Sequence, residues 1–521
     1  MPSTAASTAT SQPSTRARIT GAVVAGALGV VALAGDGASW LAWVALVPLL
    51  AALESAAPRL TFALSIVYAL VLGVGGLGLW LSRAAAAYFG IGDAAAIGYT
   101  LAFLVTIFAA HGAFLGLLLL GRPARPGPWA VVWCAAAWAC WDVARTALWP
   151  RFPGGVLALS QHEVLPVLQV ASVGGVAALT FLLVAVNAGV AGLVGRGARA
   201  VRALGAATGI ALLVGALLWG RLRIASEADP ASSAGPLVVA VDVGARAPAD
   251  GTLERYLAAS TDALTPPPAL LVWPESALTT DVEHDRATWA TLSAFVAAHG
   301  IPLLAGGPGA VPRAGRGFVH FNSAHLIAPG HGLRTYHKRG LVPFAERWPA
   351  AWPALLGTPP PDLRDLEPGT EATLFPLGDE TFGVLICFEI TDGRAAGDLA
   401  RRGARFLVNL TNDAWFSPAP HLPWAAVRAV ETGLPVVRAA NAGVSAVFDR
   451  FGRPRSADAP GRLVVRVPAA VSTVYRRAGD AFLAGCAVVV LAGFLSALRG
   501  RRAEEPTRGR TPHRRHRALS W

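Results

Sequence analysis

Residues 382–390 read FGVLICFEI, an apolar run that ends on a thiol at Cys387 and, two residues on, a carboxylate at Glu389. Short apolar runs of this kind, bounded by turn residues, read as buried strands. Similar runs surround it: GPLVVAVDVG, PALLVWPES, IPLLAGG, HFNSAHLIAPG, ARFLVNLTNDAWF, PVVRAANAGVSAVFD and GRLVVRVP. Between some of them lie helical patterns, RATWATLSAFVAAHG and HLPWAAVRAVETG. The alternation predicts an α/β layered domain over residues 226–478, its sheet covered on both faces.

Two of these strands, and a third segment at 334–340, end on groups that can react. LLVWPES delivers Glu275, RTYHKRG delivers Lys338, and GVLICFE delivers Cys387 and then Glu389. Sites in α/β domains gather at strand ends. Taken singly, Cys387 fits a buried apolar position and Glu275 a charge closing a strand. Together, a carboxylate can take the thiol proton, the thiolate can attack a carbonyl, and an ammonium can stabilise the oxyanion. Lys338 is the only lysine of the chain, the other 43 of its 44 basic residues being arginine. A compact ammonium differs from a planar guanidinium in fitting a tight pocket and exchanging a proton.

The rest of the chain has a different composition. Of 521 residues, 54% are hydrophobic and only 15% charged, and the long apolar stretches crowd the first 220 positions. A span needs roughly 20 apolar helical residues. Eight candidates follow: 19–35, 39–56, 60–81, 95–120, 127–147, 165–195, 203–220 and, after the α/β domain, 480–498. Residues 1–18 read as a disordered cytoplasmic leader, 19–220 as a membrane domain of seven spans, and 499–521 as a basic cytoplasmic tail. Positive residues in short loops stay cytoplasmic. Arg16 and Arg18, Arg59, Arg122 and Arg125, Arg196, Arg199 and Arg202, and the eight arginines of the tail all fall on one side. The domain at 226–478 is then extracytoplasmic.

Other classes fit less well. The net charge of +12 lies in inter-span loops and the tail, not in a basic stripe interleaved with aromatics, so no nucleic-acid partner is expected. Four cysteines, three in apolar spans, and no CxxC pair leave no basis for a disulfide framework, a metal site or another cofactor. Glu54, His111 and Asp142 are isolated or near span ends, too little for a transport path. No repeat of 20 to 50 residues is visible.

Four motifs occur in order: WPES with Glu275, YHKRGLVPFAERWP with Lys338, LICFEI with Cys387, and NDAWF starting at Asn412. In this order they resemble the nitrilase, or carbon–nitrogen hydrolase, superfamily. With eight spans and the domain inserted before the last, the whole chain resembles the bacterial apolipoprotein N-acyltransferase family. LAWVALVPLL at 41–50, FNSAHLIAPG at 321–330 and RAVETGLPVVRAANAGVSAVFD at 428–449 extend the likeness. It implies a polytopic helical membrane domain joined to an αββα sandwich. It also implies a triad in which Glu275 is the general base, Cys387 the nucleophile and Lys338 the stabiliser of the tetrahedral intermediate. Glu346, Glu389 and Phe388 would support the triad, and Asn412 and Trp415 would meet the substrate. The implied reaction moves a fatty acyl chain from a phospholipid, typically the sn-1 chain of phosphatidylethanolamine, through a cysteine thioester to the α-amino group of a diacylated apolipoprotein. The implied location is the inner membrane.

The chain departs from the family pattern in places. RFPGGVLALSQ has Gly154 and Leu159 where aromatics are usual, VDVGARAP has Asp242 and Gly244 at the start of the domain, FSPAPH at 416–421 is short, and Phe388 stands where tyrosine is common. Two alternatives stay open on the residues alone: a membrane-tethered amidase with the same triad, and an inactive paralogue that binds lipid or lipoprotein. Eight spans are excessive for a mere anchor, which favours the lipid substrate.

Overall fold

The structure is a computed structural model. It describes residues 13–503 except 36, 124, 148–150, 227–234, 245–251, 314, 316, 349–364, 414–420 and 457–460.

The apolar stretches form helices α1 (Thr15–Leu33), α2 (Val47–Leu53), α3 (Pro58–Phe89), α4 (Asp93–Leu119), α5 (Pro128–Ala147), α6 (Leu165–Leu168), α7 (Ala171–Val194) and α8 (Arg199–Ser226). A last apolar helix, Ala481–Ala503, packs back against α5 and α7. Among the described residues, six helices are long and apolar enough to span a membrane: α1, α3, α4, α7, α8 and the last. The expected count of eight is therefore not reached on length and composition. The segment expected at 39–56 divides into a 3₁₀ turn, Ser39–Trp43, and the seven-residue α2. Helix α5 has 20 residues but carries Asp142 and Arg145, which pair with each other inside the bundle.

Helix α7 is broken at its start. Gly174 (φ −138°, ψ 22°) and Gly175 (φ 67°, ψ −162°) leave helical geometry, and Gly175 takes a left-handed φ that a side chain disfavours. A Cβ on Gly175 would also meet Glu431 Oε1 at 2.9 Å. The freed amide of Val176 donates to that same Oε1 at 2.7 Å, so a carboxylate from the α/β domain caps the longer part of a membrane helix.

Among the described residues, the α/β domain has two six-stranded sheets. One runs β12-β1-β2-β3-β4-β5 and the other β11-β10-β9-β8-β7-β6. The first contains β1 (Leu237–Val241), β2 (Leu270–Trp273), β3 (Leu303–Arg313), β4 (Gly317–Ala328), β5 (Gly332–His337) and β12 (Arg462–Arg466). The second contains β6 (Leu374–Leu377), β7 (Glu380–Ile386), β8 (Phe406–Asn412), β9 (Val436–Asn441), β10 (Ala446–Phe448) and β11 (Pro454–Ser456).

Strand β7 explains why its sequence is continuously apolar. Phe382, Val384 and Ile386 face the other sheet, where they meet Val272, Leu304 and Leu326, while Leu385 faces the helices outside. Alternate residues of one strand thus enter two cores. Helices Thr252–Thr261 and Arg286–His299 cover the first sheet, and Gly393–Arg401 and Leu422–Thr432 cover the second. This second helical layer also packs on the membrane domain, with Trp424 and Val430 sharing a core with Leu168, Leu179 and Leu182.

The site is set by strand direction. β2 lies parallel to β1 and β3, and β7, β8 and β9 are mutually parallel. Glu275, Cys387 and Asn412 therefore emerge from the carboxyl ends of parallel strands in facing sheets.

Candidate active site

Cys387 stands at the turn from β7 into a 3₁₀ turn, Cys387–Thr391, with φ of +51°. A left-handed backbone at a residue with a side chain costs about 1–2 kcal/mol. Such strain is typical of a nucleophile held on a sharp strand-to-helix bend. The thiol is 6% exposed. Burial pushes its pKa well above the ordinary value, Glu275 adds to the rise, and Lys338 opposes it. The resting group is the thiol, so attack requires a base that removes the proton as the bond forms.

Glu275 supplies a carboxylate at the end of β2, after Pro274, and is 5% exposed. Its Oε1 accepts from Asn322 Nδ2 at 2.8 Å, and its Oε2 accepts from the Asn412 backbone amide at 2.8 Å. Each sheet thus holds one of its oxygens.

Lys338 follows β5 and is 1% exposed. Its Nζ donates to Glu346 Oε1 at 2.8 Å and to Glu275 Oε1 at 3.4 Å. An ammonium has three protons, so one is left for a developing oxyanion. Burial alone would lower its pKa, but Glu346, Glu275 and Cys387 outweigh it and hold the ammonium above its ordinary range. Glu346 lies in a tight loop in which Phe344 has φ +68° and Val342 N donates to Glu346 Oε2 at 2.7 Å. Asn322 Nδ2 bridges the two carboxylates, reaching Glu346 Oε1 at 2.7 Å.

Glu389 touches none of these reacting groups. Its Oε1 accepts from the Tyr336 hydroxyl at 2.8 Å and from the Arg339 and Gly340 amides at 2.8 and 2.9 Å. Its Oε2 accepts from the Ile386 amide at 2.8 Å. One buried carboxylate therefore ties the backbone just after Lys338 to the backbone just before Cys387.

Phe388 is half-buried, its ring edge-on to His421 with centroids 6.4 Å apart. Burial, then Arg438 and Lys338, push the His421 imidazole down to about 3, which leaves it neutral at working pH and unsuited to proton transfer. Trp415 and the short loop at 414–420 lie outside the described residues. Among those described, no three His, Cys, Asp or Glu side chains are grouped to hold a metal ion.

The sequence reading missed Asn322, Tyr336 and the Asp413–Arg438 pair. Asn322 sits inside the quoted FNSAHLIAPG, but one amide in a strand gives no signal of the two carboxylates it joins. Asp413 pairs with Arg438, whose Nη1 also reaches Asn409 Oδ1 at 2.8 Å, a buried network beneath Asn412. Of the departures from the family pattern, Asp242 holds its loop by accepting from Gly244 N at 2.8 Å and from Ala442 N at 3.2 Å. Gly154 lies against Phe152 and Leu77, where any Cβ would be crowded.

Phe152 joins an aromatic cluster that reaches the site's edge. Phe103 of α4 meets Phe152 at 5.6 Å and Phe344 at 5.2 Å between centroids, and Phe108 meets Phe152 at 5.6 Å. The loop carrying Glu346 therefore rests directly on the membrane helices.

The carbon–nitrogen hydrolase family pattern matches residues 243–476, and that of the apolipoprotein N-acyltransferase N-terminal domain matches 25–189. The apolipoprotein N-acyltransferase of Geobacter metallireducens is 28% identical over 500 residues, covering 91% of this chain and 94% of that protein. The one from Bradyrhizobium diazoefficiens is 34% identical over 284 residues, 48% of this chain and 50% of that protein. Among solved structures, an amidase from Nesterenkonia sp. aligns with a TM-score of 0.36 and 20% identity, over 47% of this chain and 94% of that one. The chain thus carries the carbon–nitrogen hydrolase and apolipoprotein N-acyltransferase N-terminal patterns together, in an α/β domain joined to a bundle of long apolar helices, and over 91% of its length it is similar to an apolipoprotein N-acyltransferase.

Proposed function

We propose that the protein transfers a fatty acyl chain from a membrane phospholipid to the N-terminal α-amino group of a diacylated lipoprotein, through a thioester on Cys387. The observation that carries this reading is the buried meeting of Cys387, Glu275 and Lys338 at strand ends, in a domain whose Glu346 loop packs on apolar membrane helices. Glu275 takes the thiol proton as Sγ attacks the ester carbonyl. Lys338 Nζ stabilises the oxyanion while Glu346 holds that ammonium in place. Collapse expels the lysophospholipid alkoxide, which receives the proton from Glu275 and leaves an acyl-enzyme.

In the second half-reaction the lipoprotein amine attacks the thioester, Glu275 accepts its proton, and the amide forms as the Cys387 thiolate leaves and is reprotonated. Both half-reactions use one cysteine, so the kinetics are ping-pong. Phosphatidylethanolamine is the proposed donor. The location is the inner membrane with the α/β domain on the extracytoplasmic side, a reading supported by the arginines that flank the apolar segments on the opposite side.

The test is to incubate purified protein with phosphatidylethanolamine labelled on its sn-1 chain and a diacylated lipopeptide. Label moves to the lipopeptide amine, and Cys387→Ala moves none. Release of label only as free fatty acid, with an intact amine, would replace the acyltransferase reading by a hydrolytic one.

A further inference from the structure

Beside the residues that follow the nucleophile lies a cavity of about 440 Å³. Four arginines line it, Arg151, Arg339, Arg394 and Arg401, together with Asp392 and Asp398. Phe388 and Glu389 form its inner wall, and Thr146, in the last turns of α5, closes it on the membrane side. Arg151 follows α5, so the cavity lies beside the carboxyl end of that helix.

The charges are only partly spent within the protein. Glu389 is taken by its four donors. Arg394 pairs with Asp480 at 2.7 Å, and Arg151 faces Asp392 at 3.5 Å. Asp398 pairs with Arg402 at 3.1 Å and stands 3.9 Å from Arg339. The Arg339 guanidinium lies beside the Tyr336 hydroxyl, yet its Nε and Nη2 are buried with no hydrogen-bond partner of normal geometry. Arg401 is exposed and makes no ion pair among the described residues. Two guanidiniums line one cavity, Arg401 with no ion pair among the described residues and Arg339 with its Nη1 3.9 Å from Asp398, and a guanidinium suits a phosphate. Asp392, whose Oδ1 caps the following helix, and Asp398 add carboxylates to the same lining, and a carboxylate suits an ammonium.

We propose that this cavity binds the head group of the phospholipid donor, with the phosphodiester against Arg339 and Arg401 and the head-group ammonium against Asp392 and Asp398. The proposal rests on the acyltransferase reading above. Its geometry is compatible with chemistry at Cys387. Arg339 directly follows Lys338 and Phe388 directly follows Cys387, so the cavity lining adjoins both reacting residues along the chain. The ester carbonyl and the phosphorus of a phospholipid are separated by only a few bonds of glycerol. The Phe388 ring would then stand between the reacting ester and the held head group.

The experiment measures acyl-enzyme formation on full-length protein in detergent with two donors, phosphatidylethanolamine and a p-nitrophenyl fatty ester that has no head group. Arg401→Glu is expected to raise KM for the phospholipid about tenfold with kcat nearly unchanged, and to leave the p-nitrophenyl ester unaffected. Arg405→Glu, which alters an exposed arginine paired with Glu380 away from the cavity, is the control and changes neither. Because Arg401 is exposed, its variant should fold; equal thermal midpoints check this. Glycerophosphoethanolamine should compete with the phospholipid donor. Inorganic phosphate competing equally well would assign the cavity to phosphate in general, whereas competition by the glycerophosphodiester alone would assign it to the lipid.

An unchanged phospholipid KM in Arg401→Glu, with wild-type protein active, would overturn the head-group site and leave the acyltransferase reading standing. Wild-type protein that forms an adduct with the p-nitrophenyl ester but with no phospholipid would overturn both.

Discussion

The Lys338 ammonium lies 2.8 Å from Glu346 and 3.4 Å from Glu275, so the tighter partner of the only lysine is the carboxylate that does not belong to the triad. In the proposed mechanism this division leaves Glu275 freer to exchange a proton with Cys387 while Glu346 carries the neutralising role. Lys338→Arg keeps the charge but inserts a larger planar group into a fully buried position. The expected outcome is a folded protein whose acyl-enzyme formation falls by about 10²–10³, the range for loss of one oxyanion donor. Glu346→Ala, which removes one partner of a buried pair, should lower stability by up to about 3–5 kcal/mol, read by chemical denaturation in detergent. Full activity in Lys338→Arg would mean that any cation suffices.

Glu275 and the thiol make opposing demands. The carboxylate raises the thiol pKa, second to burial, so Glu275→Gln should lower it. Alkylation of Cys387 by iodoacetamide would then shift to lower pH in the variant. Acyl transfer should nevertheless fall by about 10²–10⁴, because the proton acceptor is gone. Parallel changes in both readouts would assign Glu275 an electrostatic role instead of that of a base.

Glu389 holds two segments by accepting four hydrogen bonds and donating none. Glutamine at 389 would turn one oxygen into an NH₂ facing a donor. The expected cost is about 1–3 kcal/mol of stability, seen as a lower thermal midpoint, with a fall in kcat for every donor lipid. A variant as stable as wild type would sever the link between Glu389 and the positions of Lys338 and Cys387.

Glu431 couples the α/β domain to α7, and its carboxyl is pushed up to about 7, first by burial and against the pull of Arg428. A carboxyl whose folded pKa exceeds its ordinary 4.5 binds more protons folded than unfolded between the two values. Its contribution is fully present below about pH 4.5 and is lost as pH rises through about 7. Thermal midpoints should therefore decline from pH 5 to pH 7, and Glu431→Gln should flatten that decline. An unchanged slope in the variant would remove Glu431 from the account.

Much of the site is legible in the sequence because strand ends carry it. Glu275 and Cys387 each close an apolar run that period and length mark, whereas Lys338 follows the polar strand GLRTYH and stands out as the only lysine of the chain. Both helical patterns singled out in the domain appear, as Arg286–His299 and Leu422–Thr432. The contacts that organise the triad are not legible, because they join residues far apart in sequence. Asn322 and Glu275 are 47 positions apart, and Tyr336 and Glu389 are 53 apart. The break in α7 is equally hidden, since two glycines in an apolar run look like ordinary membrane-helix residues until Glu431 is seen to fill the space beside them. At 39–56 and 127–147 hydropathy marks apolar segments without fixing their form: one becomes two short helices, and the other buries an ion pair.

The central claim is that Cys387 carries the acyl chain. Intact-mass measurement of the purified protein after incubation with phosphatidylethanolamine, with no amine acceptor present, tests it most directly. The account predicts a mass increase of one fatty acyl group that maps to Cys387, is removed by neutral hydroxylamine or by a diacylated lipopeptide, and is missing in Cys387→Ala. An adduct that persists in Cys387→Ala, or lipopeptide acylation by that variant, would contradict it.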